Sequence, residues 1–94
     1  MEIFVEKVIR EFGTRDVFEI AERIGVKIVY ESWFPVTIGE FDNRNKTICV
    51  NLNAGVKLEK IIAHELGHFF AQEFNLNKAE EEKFAREFVE VLID

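Results

Sequence analysis

The spacing of apolar residues changes twice along this chain of 94 residues, and the change restricts the folds it can adopt. Residues 1–25 carry apolar side chains at helical spacing, in two segments that end at Gly13 and Gly25. Three short segments, VKIVYE, VTIGEFD and TICVNL, then alternate in polarity and are rich in β-branched and aromatic residues. Helical spacing returns after residue 52. We predict an α+β domain with two helices, a three-stranded, mostly antiparallel sheet, and two further helices.

Local signals predict where these elements begin and turn. Asp16 with Glu19 fits a capping box at the start of the second helix, and Asn77 with Glu80 fits another before a last helix. That last helix is expected to run from about Lys78 to the C-terminus, with an apolar stripe facing inward. SWFP separates the first two strands, and DNRNK between the next two is typical of a hairpin turn.

Composition limits the class of protein and its partners. Hydrophobic residues make up 48% of the chain and the net charge is -6, which favours a globular domain and argues against a surface for nucleic acids. Cys49 is the single cysteine, which suits a reducing compartment. We see neither an N-terminal leader nor an apolar run of roughly 20 residues. The expectation is one domain over residues 1–94, cytoplasmic, without direct contact to nucleic acid or membrane.

The two histidines of the chain, His64 and His68, stand four residues apart in a segment with helical spacing, and Glu65 follows the first. Positions i and i+4 project from one face of a helix, so both imidazoles can bind one zinc ion at about 2.0–2.1 Å. Glu65 is rotated by about 100° and is free to act as a general base. Gly67 weakens a helix interior, which predicts a packing reason for it. The alternative, two ordinary structural histidines, does not explain this spacing.

A hydrolytic zinc site usually has three protein ligands and one open position. No third histidine exists, so a carboxylate of the last helix is expected, among Glu80, Glu81 and Glu82. Glu80 is the residue that the capping box with Asn77 would use. Glu81 and Glu82 both border the inward apolar stripe, and spacing alone leaves the choice between them open. The alternative is that all three form a solvated charge run.

The segment from Thr14 to Ile93 resembles the ImmA/IrrE family of metallopeptidases, which are zinc proteases of the gluzincin type. The resemblance lies in IAERIGVKIV, ICVNLN, IIAHELGHFF and EKFAREFVEVLI, in that order. Members carry a late Glu-x-x-Ala pattern ending in Leu-Leu whose Glu is the third zinc ligand, and Glu82 stands at that position. A register that aligns Phe84 with the family's Phe puts Lys78 there, and an ammonium group cannot bind zinc.

The resemblance implies a zinc-dependent metallopeptidase that cleaves a protein or peptide, with a DNA-binding transcriptional repressor as the implied substrate. It implies one Zn²⁺ per chain bound by His64, His68 and Glu82, with Glu65 as the catalytic base. Arg86 stands where the family usually has Asn, so this chain departs from the pattern there. A group that stabilises the oxyanion is not evident: Tyr30 or a backbone amide are the alternatives, and Tyr30 is also typical of a half-buried strand residue.

Two alternatives remain open from the sequence. One is a catalytically weak or inactive metal-binding interaction module of the same fold, which the missing oxyanion partner favours and the intact Glu65 disfavours. The other is a latent enzyme whose cleft is covered by its own C-terminal segment or by a second copy. In the peptidase hypothesis the substrate lies extended along a sheet edge supplied by VTIGEFD or TICVNL.

Overall fold

The computed structural model describes residues 1–32 and 38–93, and in them the α+β prediction is confirmed. The elements follow the expected order of two helices, three strands and two helices, with a short 3₁₀ turn at Gln72–Phe74 before the last helix. The elements are α1 (Glu2–Phe12), α2 (Val17–Ile24), β1 (Lys27–Glu31), β2 (Gly39–Asp42), β3 (Thr47–Asn51), α3 (Leu58–Ala71) and α4 (Lys78–Leu92). None of these helices is long and apolar enough to cross a membrane.

Most of the predicted helix boundaries are confirmed. The backbone of Gly25 is left-handed at the end of α2, with φ of 89°, and Asn77 and Glu80 form the capping box of α4. The N-cap predicted at Asp16 is confirmed, but the capping box with Glu19 is wrong. The Asp16 carboxylate accepts a hydrogen bond from the Phe18 amide at 2.9 Å, but Glu19 instead pairs with Arg23 at 2.6 Å.

The sheet has the order β1-β3-β2, so β3 lies in the middle. β2 and β3 are antiparallel, with Phe41 opposite Ile48, and form the predicted hairpin. β1 pairs with the other side of β3 and runs parallel to it, so the antiparallel expectation holds for only one of the two pairings. Residues 33–37, which include part of SWFP and the first two residues of VTIGEFD, lie outside the described residues.

Helix α3 lies at the centre of the domain, between the sheet, α2 and α4. Its apolar residues pack against several of these elements, and Ile62 and Leu66 are fully buried. α1 closes the end of the α3–α4 pair through Phe4, whose ring meets those of Phe70, Phe84 and Phe88 edge-on. Because α3 is enclosed by other elements, the side chains it carries have little freedom to move.

Helix α3 comes close to the backbone of α4 at Gly67. A Cβ placed on Gly67 would lie 2.7 Å from the Cα of Ala85 and 3.1 Å from its Cβ. The predicted packing reason for this glycine is therefore confirmed: only a residue without a side chain lets the two backbones meet here.

We expect Gly67→Ala to lower the free energy of unfolding by roughly 1–3 kcal/mol, because the added methyl group overlaps the α4 backbone. Helix propensity alone acts in the opposite direction, since Ala is favoured over Gly by about 1 kcal/mol. Urea unfolding of the two proteins measures the difference. A variant as stable as the wild type would show that α4 can move away from α3 without loss of packing.

Candidate metal centre

His64 and His68 lie on the face of α3 that is turned toward α4, as their spacing predicts. Their Nε2 atoms are 3.3 Å apart, and the side chains are 27% and 21% exposed. Both rings are therefore held by packing while one edge of each opens to solvent. A pair of imidazole nitrogens this close can share one ion.

Glu82 of α4 lies across from this pair. Its Oε1 is 3.1 Å from His64 Nε2 and its Oε2 is 3.1 Å from His68 Nε2. Among the described residues, these three side chains form a group whose potential ligand atoms all lie within 4.8 Å of one another. The structure thus brings together the three residues proposed as ligands, from two helices whose separation is set at Gly67.

The donor set and its spacing fit a zinc ion. Tetrahedral ligands about 2.0–2.1 Å from zinc lie roughly 3.3–3.4 Å from one another, close to the 3.1 and 3.3 Å observed here. Three electron-pair donors that converge in this way repel each other unless a proton or a cation lies between them. Two His and one Glu are also the ligand set of catalytic zinc sites, which keep a fourth position open.

Glu81, the other candidate of the sequence, contacts a different atom of the same histidine. Its Oε1 lies 2.8 Å from Nδ1 of His68, on the side of the ring away from Nε2. A carboxylate that accepts the Nδ1 hydrogen fixes the ring and leaves the Nε2 lone pair directed at a metal. Glu81 is thus placed to orient His68, while Glu82 is placed to bind the ion.

Glu65 is buried beside the two histidines, and its carboxylate lies near Gly39 of β2. The residue is 7% exposed, and its Oε2 would lie 3.5 Å from a Cβ placed on Gly39. Burial, more than any neighbouring charge, raises the pKa of the Glu65 carboxyl to about 7. A carboxyl with a pKa near neutrality can both accept and return a proton at pH 7.

Burial lowers the pKa of His64, whereas it raises that of Glu65. Loss of solvent is the largest influence and lowers the pKa of the imidazole, although the Glu82 carboxylate opposes it. A lowered pKa keeps the ring neutral at pH 7, which is the protonation state that binds metals.

Two of the cavities that open onto this centre share part of their lining, namely Gly39, His64, Glu65 and Glu82. The cavity on the His64 side measures about 580 Å³ and the one on the His68 side about 420 Å³. The first is mainly apolar, with Ile38, Val56, Ile61 and Val89 in its wall. The second is bordered by Glu40, Asn43, Gln72 and Glu81. Together they form a cleft between β2 and α4.

The sheet order decides which strand borders this cleft. In the part of the chain that the structure describes, β2 pairs on one side only, so its outer edge is open for strand addition, and β2 belongs to VTIGEFD, one of the two segments predicted to supply such an edge. TICVNL cannot supply that edge, since β3 pairs on both sides. Tyr30 lies on β1 at the opposite edge of the sheet, is 46% exposed and lines neither cavity. It is therefore not placed to stabilise an oxyanion at this centre.

Comparison of the chain with protein-family models, with curated proteins and with solved structures finds no match in any of the three. The resemblance to the ImmA/IrrE family stays a prediction that rests on the quoted motifs. The geometry adds two residues that the sequence did not single out for the cleft. Gly39 lets α3 approach β2 beside Glu65, because a Cβ placed on it would lie 2.6 Å from Cγ2 of Ile61, and an isolated Gly in a strand is a signal of such close approach. Arg86 lines the larger cavity, one turn beyond Glu82.

Proposed function

We propose that this protein is a zinc-dependent metallopeptidase that hydrolyses peptide bonds in the cleft between β2 and α4. The observation that carries the proposal is the Glu82 carboxylate, 3.1 Å from Nε2 of both histidines, with the buried Glu65 on the same cleft. His64, His68 and Glu82 would hold the ion. When bound, zinc supplies a Lewis acid that polarises a carbonyl and makes water more acidic, with a pKa near 7.

Glu65 acts as the general base of the reaction. It accepts one proton from the attacking water as the water oxygen bonds to the carbonyl carbon of the substrate. Glu65 then delivers that proton to the amide nitrogen as the C–N bond breaks, which leaves a new amine and a new carboxyl group that keeps the second proton of the water. The substrate pairs through its main chain with the open edge of β2, which brings its scissile bond over α3.

The position of Glu65 favours an enzyme over a purely structural metal site. Burial of a carboxyl lowers stability unless it is paired or neutralised, and a site with the sole function of holding an ion has no need for it. The resemblance of the motifs to ImmA/IrrE peptidases points the same way and supplies the proposed substrate, a DNA-binding transcriptional repressor. That substrate rests on the resemblance alone.

A second candidate is a metal-binding interaction module of the same fold that does not turn over. It is favoured by the position of the single tyrosine, Tyr30, on the far edge of the sheet. Since His64 and His68 are the only histidines, no tyrosine or further histidine can stabilise an oxyanion in this cleft. The two candidates differ in whether Glu65 is needed for function.

The test is hydrolysis of a peptide mixture from a digested proteome, read by mass spectrometry, with elemental analysis of the same protein. We expect about one zinc per chain and new peptide termini, both lost after chelation and both restored by added zinc. His68→Ala should lose both in parallel, because it removes one of the three ligands. Bound zinc with no new termini would favour the interaction module, and no zinc after reconstitution would overturn both candidates.

A further inference from the structure

Arg86 is the one residue of α4 beyond Glu82 that brings a positive charge to the cleft. It lies four residues after Glu82, on the same helical face, and lines the cavity that also contains His64 and Glu65. Arg86 thus faces the centre from the α4 wall, opposite the wall where Glu65 meets β2.

Two neighbouring cations, Lys83 and Lys60, have other partners. Lys83 lies on the outer side of α4 and pairs with Glu87 at 3.9 Å. Lys60 also lines the larger cavity, but it already interacts elsewhere in the chain. Across residues 1–32 and 38–93 the Arg86 guanidinium enters no ion pair and no hydrogen bond. Its five N–H donors remain available to a ligand in the cleft.

A fixed positive charge beside a cation site is unfavourable for binding the metal by itself, because like charges repel. The same charge becomes favourable when negative charge develops in the cleft. During peptide hydrolysis that charge appears on the carbonyl oxygen, as the water oxygen adds to the carbon and an electron pair moves onto the carbonyl oxygen. Donors already in place around that oxygen lower the barrier most.

We propose, on the basis of the peptidase function above, that Arg86 is the oxyanion-stabilising residue of this site. Its N–H groups donate hydrogen bonds to the scissile carbonyl oxygen as that oxygen becomes negative. Arg86 stays protonated throughout, since a guanidinium does not lose its proton in proteins, and one of the two water protons still passes through Glu65 to the amide nitrogen. When the C–N bond breaks, the electron pair on the oxygen re-forms the C=O bond, and the oxygen beside Arg86 loses its negative charge.

Arg86→Gln should lower kcat by about 10²–10³-fold, as expected for loss of one oxyanion donor, and change KM by less than about threefold. Zinc affinity should stay equal or become tighter, because a repulsive charge is removed. Arg86→Lys should recover part of kcat. Lys83→Gln is the matched control on the same helix and should leave kcat, KM and zinc affinity unchanged. A loss of zinc affinity or of thermal stability in Arg86→Gln would instead indicate a structural role and overturn the proposal.

Binding of a phosphinic peptide to the zinc-loaded protein supplies a readout besides turnover, because its tetrahedral oxygens carry the charge that Arg86 should recognise. Calorimetry should show about 10²-fold weaker binding to Arg86→Gln than to the wild type. Equal affinity of the two proteins, or equal kcat, would overturn the role of Arg86 and leave the peptidase function intact. A wild-type protein that neither cleaves peptides nor binds the phosphinic peptide would overturn the peptidase function, and the role of Arg86 with it.

Discussion

Glu65→Gln should lower the turnover number by about 10²–10⁴-fold, the usual contribution of a positioned general base, while about one zinc per chain is retained. The amide keeps the size of the carboxyl and can still accept a hydrogen bond, but it cannot take the proton of the attacking water. Glu65 is not within the group of ligand atoms formed by His64, His68 and Glu82. The metal should therefore bind as before, and the substrate cleft should keep its shape.

The comparison requires turnover measured on the wild type and the variant after both are loaded with zinc, with zinc content taken from the same samples. Glu59→Gln is the control, because Glu59 is an exposed residue in the first turn of the same helix. It should change neither quantity. Peptide cleavage that survives in Glu65→Gln would exclude Glu65 as the base and remove the main support for the enzyme over the interaction module.

Local geometry explains why the centre of this site could be predicted from the sequence. The placement of His64, Glu65 and His68 depends only on the rise and turn of one helix, which are the same in any protein. The capping box of α4 is equally local, since Asn77 and Glu80 contact each other within one turn. Because that cap starts α4 at Lys78, the three glutamates that follow fall in its first two turns.

The order of the strands could not be derived in the same way. The β2–β3 hairpin can place either β2 or β3 next to β1, and both arrangements have the same alternation of polar and apolar residues along each strand. In the structure β3 lies next to β1, with Ile28 opposite Ile48. The two paired strands are therefore separated in the sequence by β2. That choice depends on how the sheet packs on α3, and it is what leaves β2 at the edge beside Glu65.

The distinction between Glu81 and Glu82 also depends on tertiary packing. Both residues border the apolar stripe of α4, so helical spacing gives them equal access to α3. The contact of Gly67 with Ala85 fixes how α4 is rotated and how near it lies. With that contact made, Glu82 reaches both Nε2 atoms and Glu81 reaches only Nδ1 of His68. Three consecutive glutamates, residues 80–82, then make three different sets of contacts.

Replacement of these three glutamates one at a time should separate the roles. If about 10 kcal/mol of zinc binding is shared among three ligands, loss of one ligand removes about 3 kcal/mol, or about 10²-fold in affinity. We expect Glu82→Ala to show at least that loss, measured by competition with a chelator of known affinity. Glu81→Ala should show a smaller one, of about tenfold, at the low end for partners that orient a ligand.

Glu80→Ala is the internal control of this series. Loss of its bond to the Asn77 amide should lower the free energy of unfolding by about 1 kcal/mol, as other cap removals do, without a change in zinc affinity. A larger loss of affinity in Glu81→Ala than in Glu82→Ala would reverse the assignment and make Glu81 the ligand. Equal and small losses in both would mean that His64 and His68 hold the ion without α4. In that case the close contact at Gly67 would serve the packing of the core alone.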